Sequence, residues 1–241
     1  MRPLTAVDIL TIWDTGQELH PLDRAMLLLA FALPDLPPAD LRRLTIGQRN
    51  GRLLHLRQLT IGPNLDGLVT CPQCGETLEF NVAVGQLLLP DPAQPVPALR
   101  VDDLQVQATL PTSDDLAALR AAPSLAAART RLIERCVQAV GPSGPMAAAD
   151  LPETAVTAIA DALAAADPLA DMRFAFACAD CGHEWQALFD VLAFFWAELA
   201  AEARRLLREV HQIARAYGWR EADILALSSA RRHAYLELIG S

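Results

Sequence analysis

Two short pieces constrain this chain most: Cys71-Pro72-Gln73-Cys74-Gly75 and, far downstream, Cys178-Ala179-Asp180-Cys181-Gly182. A Cys-x-x-Cys turn lets two sulfurs converge on one ion while backbone N–H groups point at them, and zinc favours four thiolate or imidazole ligands in a tetrahedron. The glycine after each pair permits the turn that such a knuckle needs. Both copies sit between alternating residues: Leu68-Val69-Thr70 and Thr77 to Val82 around the first, Met172 to Ala177 and His183-Glu184-Trp185 around the second. Strand, knuckle, strand, written twice, predicts the two halves of a zinc ribbon, with Cys71, Cys74, Cys178 and Cys181 as ligands of one structural Zn2+.

The separation of the halves is the unusual part. Residues from about 83 to 171 read as an insertion, and metal ligation across it would remove much freedom from the unfolded chain. Three other fates are open to the cysteines: disulfides, a redox pair, or reduced thiols packed without metal. Disulfides fit poorly with an intracellular chain, and paired knuckles with glycines do not resemble a thioredoxin motif. Four cysteines also close the coordination shell, whereas a catalytic zinc keeps an open position. His183 and Glu184 flank the site without completing it. No phosphate loop, dinucleotide fingerprint, nucleophile elbow or His-Glu-x-x-His is present. Asp102-Asp103 and Asp114-Asp115 read as caps and solvated loops, and Cys136 as core packing. A non-catalytic protein is expected.

Outside the knuckles the chain reads as helices. Of its 241 residues 52% are hydrophobic, and Ala and Leu dominate them, which favours helix over sheet. Apolar spacing predicts helices over Ala6–Gly16 (Val7, Ile9, Leu10, Trp13), Asp23–Ala30 after a break at His20-Pro21, Ala39–Leu44, and Thr45 to Gly62-Pro63 with Leu53, Leu54, Leu56 and Leu59 inward. Prolines over 90–100 predict an extended segment. Leu104–Leu110 alternates as a strand; Thr112 to Asp115 opens a helix through Ala121, Ser124 caps another through Val140, 141–145 forms a loop, and Pro152–Ala166 is helical. The longest helix spans Leu188–Tyr217, with Leu188, Leu192, Phe195, Leu199, Leu206, Val210, Ile213 and Tyr217 as one stripe, ended by Gly218. Glu221–Leu227 and Ala230–Ile239 close the chain as a helical pair. The fold class expected is mainly α with a small β zinc ribbon, that is α+β, divided as 1–67, 68–89, 90–171, 172–190 and 191–241.

A formal charge of -9 repels phosphate backbones and disfavours nucleic acid as a partner. The arginines of the C-terminal helices, Arg204, Arg205, Arg208, Arg215, Arg231 and Arg232, leave a zinc-ribbon nucleic-acid-binding regulator as the alternative, against a solvated face balanced by Glu202, Glu209 and Glu221. The apolar run Ala187–Ala201 contains Asp190 and Glu198 and is too short to span a membrane. No secretory signal opens the chain, so a cytoplasmic protein is expected.

Three stretches taken together carry a resemblance: Leu44-Thr45-Ile46-Gly47-Gln48-Arg49-Asn50 with Leu53 to Leu65, the two cysteine knuckles, and Ala214-Arg215-Ala216-Tyr217-Gly218-Trp219 continuing through Glu221–Leu227 to Ala230-Arg231-Arg232-His233-Ala234-Tyr235-Leu236. The chain resembles baseplate-associated proteins of contractile phage tails and phage-tail-like contractile injection systems, which are similar to the baseplate hub assembly chaperones of T4-like phages. The resemblance implies protein binding during baseplate assembly, with hub or spike proteins as partners. On that reading Arg204, Arg208, Arg215, Tyr217, Trp219, Arg231, Arg232 and Tyr235 are the candidate partner face.

Overall fold

Capping chemistry sets where most helices begin. Thr5 accepts from the Asp8 N–H while the Asp8 carboxylate accepts from the Thr5 N–H, which starts α1 (Ala6–Gly16). His20-Pro21 is a helix start rather than a break: Pro21 occupies the first turn of α2 (Pro21–Ala32), and His20 Nδ1 accepts from the Leu22 N–H at 3.2 Å. A short α3 (Pro38–Arg42) leads to α4 (Ile46–Thr60), capped reciprocally by Thr45 and Gln48. The computed structural model describes residues 1–89 and 93–240.

After α4 come the hairpin β1 (Asn64–Thr70) and β2 (Thr77–Ala83) and a single turn, α5 (Val84–Leu87). The predicted extended stretch over 90–100 falls in part on 90–92, outside the described residues; β3 (Leu99–Val101) begins near its end. Next are β4 (Leu104–Ala108), α6 (Ser113–Ala118), α7 (Leu125–Cys136), β5 (Val137–Gly141), β6 (Gly144–Met146) and α8 (Glu153–Ala166). The second hairpin is β7 (Arg173–Ala177) and β8 (Glu184–Leu188), and the chain closes with α9 (Val191–Tyr217), α10 (Glu221–Leu225) and α11 (Ser229–Gly240).

The principal core lies among α1, α2, α4 and α9, where Ile12, Leu28, Leu29, Leu53, Leu56, Phe195, Leu206 and Ile213 are fully buried. A second, smaller core sits in the insertion, where the antiparallel sheet β3-β4-β5-β6 packs Leu104, Val106 and Ala139 against Ala155 and Ile159 of α8. No helix of the described residues is long and apolar enough to cross a membrane.

Several expectations are corrected. The helix after Ser124 ends at Cys136 rather than Val140, because Val137 to Val140 pair with β4 in register from Ala108↔Val137 to Gln105↔Val140; β-branched alternation outweighs the helical run before it. The segment 141–145 is the turn and return strand of a hairpin, with Gly141 facing Gly144. Leu188 belongs to β8 and is exposed, as are Val7 and Leu59 on the outer faces of their helices. The insertion, expected as one strand with helices, is a four-stranded sheet with helices on it.

The end of the insertion docks on the start of α4. Asp167 Oδ2 accepts from the Gly47 N–H at 2.9 Å, and Asn50 Nδ2 donates to the Leu169 carbonyl at 2.8 Å. Burial raises the Asp167 carboxyl, and the bonds from the Gly47 N–H and the Thr45 hydroxyl offset only part of that. A Cβ on Gly47 would lie 1.7 Å from Asp167 Oδ1. Gly47→Ala, which by helix propensity alone should stabilise by up to about 1 kcal/mol, is instead expected to destabilise by roughly 2–3 kcal/mol in urea melts. In an Asp167→Ala background the same change should cost less than about 1 kcal/mol; equal costs in both backgrounds would refute the contact.

Candidate metal centre

Each hairpin ends in a knuckle, and the two are built alike. In the first, the Cys71 N–H donates to the Glu76 carbonyl at 2.8 Å and the Gly75 N–H to the Cys71 carbonyl at 3.0 Å; in the second, Cys178 donates to His183 at 2.9 Å and Gly182 to Cys178 at 2.9 Å. Gly75 and Gly182 take the left-handed conformation, with φ 80° and 72°, a region that other residues enter only with strain. Sequence spacing alone had pointed to these turns, and the backbone adopts them in both copies.

The four sulfurs meet across the hairpins. Cys71 Sγ lies 3.7 Å from Cys181 Sγ and Cys74 Sγ 3.6 Å from Cys178 Sγ, and all four are within 4.8 Å of one another. A regular tetrahedron of sulfurs about 2.3 Å from a central ion has edges of about 3.8 Å, so the cluster is close to the size a metal ion requires. No cysteine is bridged, and Cys71 and Cys178 are buried while Cys74 and Cys181 face outward. Cys136 is buried in the insertion, away from the cluster, and burial pushes its thiol up to about 11.

The protonation behaviour of the cluster suits a cation. Burial alone would raise Cys71, but the N–H groups of Cys74 and Gln73 aimed at its sulfur prevail and hold it down at about 7. The Glu76 N–H pulls Cys74 the same way, yet burial and the neighbouring sulfurs push it up to about 12; Cys181 is raised as well, despite the His183 N–H. Thiols alone thus accept a first negative charge readily and resist further ones. A dication removes that resistance, and its binding would release protons.

Beneath the sulfurs lies an aromatic floor that spacing arguments missed. Phe80 of the first hairpin meets Phe174 and Phe176 of the second edge-on, with ring centres 5.9 and 5.7 Å apart. Phe176 stacks on Trp185, Trp185 on His183, and Phe174 on Phe189, which reaches Phe194 of α9. Phe174 and Phe176 stand two apart on one face of β7, which was the available signal. Phe80 also lies over Gly67, where a Cβ would come within 2.4 Å of its ring.

The candidate partner face is divided. Arg204, Arg208, Arg215, Tyr217 and Arg231 are exposed, but Arg232 is buried against Glu209, and Trp219 and Tyr235 pack their rings together on the core side of α11. Arg232 is therefore removed from the surface set: its guanidinium holds α11 to α9. A cleft of about 1150 Å3 lies nearby between α1, α9 and the turn into α11. Its charged side chains are largely paired with one another, Arg205 with Glu202 and Glu209, and Arg232 with Glu209.

Two hairpins joined at four cysteines, seated on a helical core and separated in sequence by an inserted sheet, define an α+β protein with a cluster suited to one metal ion. Over residues 36–196 the chain matches the family described as T4 bacteriophage base plate protein, and it belongs to that family. The matched span holds α4, both hairpins and the whole insertion; the Tyr217-Gly218-Trp219 stretch lies beyond it. No curated protein and no solved structure matches the chain. Family membership gives it a structural or assembly role in phage baseplates, in contact with other baseplate components.

Proposed function

We propose that the chain is a non-catalytic, zinc-stapled factor in the assembly or structure of a contractile tail or injection-system baseplate, working through contacts with hub or spike proteins. Cys71, Cys74, Cys178 and Cys181 hold one Zn2+, which supplies a cross-link between the halves of a split zinc ribbon and leaves no open coordination position. The observation that carries the baseplate role is the family match over the hairpins and insertion. The exposed Arg204, Arg208, Arg215, Tyr217 and Arg231 form one contact face of this reading. A nucleic-acid regulator draws less support, because the chain's net charge is -9 and the arginine face has already lost Arg232 to the interior.

The experiment is deletion of the gene from the genome that carries it, followed by electron microscopy of the particles. Tails lacking baseplates, restored by the wild-type gene supplied separately, are expected. Complete particles in the deletion strain would overturn the assembly role.

A further inference from the structure

The negative charge of the chain is concentrated on its hairpins. Residues 64–83 and 171–190 hold seven carboxylates against a single cation, Arg173, so that -6 of the formal -9 falls on these two segments. All seven carboxylate residues are exposed; Asp171 is paired with Arg173 at 3.0 Å and Asp190 faces the charge of the buried Arg49, which leaves the other five without an ion-pair partner among the described residues. A divalent ion held by four thiolates would add two further negative charges to the same end of the molecule.

An apolar groove runs through this acidic end. It has a volume of about 310 Å3, with Phe80, Phe174 and Phe194 on its floor, and Asp190 on its wall. Leu68 on β1 and Leu188 on β8 border it, 69% and 61% exposed. On the outer face of the first hairpin, Asp66 and Glu79 line a separate depression of about 460 Å3 beside Leu68. Single exposed leucines need no explanation, but two bordering an aromatic floor form a patch of the kind that marks interaction sites.

We propose that this groove docks a segment of a partner protein bearing apolar side chains flanked by lysine or arginine. The apolar groups cover Leu68, Leu188 and the phenylalanine floor, while the cations meet Asp66, Glu79 and Asp190. Charge complementarity selects this occupant: nucleic acid and anionic lipid surfaces are repelled by the same carboxylates. The inference names the partner chemistry for the proposed role in protein contacts, but the peptide assay below contains no baseplate protein, so it fails or succeeds separately from that role.

The probe is a fluorescent peptide of alternating leucine and lysine, titrated with the purified protein. Leu68→Ser/Leu188→Ser, at exposed positions, is expected to weaken binding roughly tenfold, and Asp66→Asn/Glu79→Gln similarly at low salt. Glu221→Gln/Glu237→Gln, beyond the other end of a helix about 40 Å long, should leave binding unchanged. Equal loss in that remote variant, or no loss in the leucine variant, would overturn the groove. Carbodiimide coupling then separates partners from copies: all 20 basic residues of this chain are arginine, so hairpin carboxylates can couple only to a partner's amines or to an N-terminus. Products joining Asp66 or Glu79 to Met1 of a second copy, in place of partner lysines, would also overturn the proposal.

Discussion

Cys71→Ser/Cys178→Ser, which takes one sulfur from each hairpin, is expected to release one zinc ion per chain and lower the thermal midpoint by on the order of 10 °C. A two-stranded hairpin is marginal by itself in water, and these two belong to separate sheets. Without the ion, the phenylalanine contacts are left to hold the hairpins together, and the buried sites of Cys71 and Cys178 keep polar hydroxyls in place of ligating thiolates. The helical core does not use the cluster: Ile12, Leu28, Leu53, Phe195 and Ile213 pack among α1, α2, α4 and α9. Far-UV circular dichroism should therefore change little while near-UV signals from Trp185 and its neighbours collapse. Elemental analysis of the wild type beside the variant decides the matter. Absence of any metal from the wild type sinks the centre; a stoichiometric metal other than zinc would keep the cluster and replace the ion.

The features legible in the sequence were those written in local chemistry. Cys-x-x-Cys-Gly twice, reciprocal caps at Thr45-Gln48 and Thr112-Asp115, and Gly218 after a long apolar stripe each state their structure within a few residues, and the backbone follows them. Errors arose where a distant partner decides. Val137–Val140 continues a helical run in sequence but finds β4 in space. Leu188 fits the α9 stripe by spacing, yet the chain is still in β8 there and α9 starts only after the Asp190 cap. The aromatic floor draws Phe80 and Phe174 from segments on opposite sides of the insertion, and no window short enough to show periodicity contains both. Likewise Gly47 looks like a poor helix residue until Asp167 is seen to occupy the space of its missing Cβ.

Arg231 and Arg232 make the same point energetically, since adjacent arginines on one helix are equivalent to any composition argument. Only Arg232 turns inward: Nε donates to Glu209 Oε2 at 2.8 Å and Nη1 to the Leu227 carbonyl at 2.6 Å, with both ionic side chains below a tenth exposed. Glu209 is further bonded by Arg205, whereas Arg232 has no second carboxylate among the described residues. The two single truncations should therefore differ. Glu209→Leu strands a buried cation and is expected to cost about 3–5 kcal/mol, a fall of roughly 6–20 °C in a chain of this size. Arg232→Met leaves Glu209 with Arg205 and should cost only about 1–2 kcal/mol. Combining them should recover most of the loss, because no unpaired charge then remains in the interior. Arg231→Met, facing solvent, should stay within about 0.5 kcal/mol of wild type. A surface role for Arg232 makes the opposite forecast, with both arginine variants near wild type in stability and the Glu209 variant no worse, so a set of four melting curves separates the structural arginine from the exposed one.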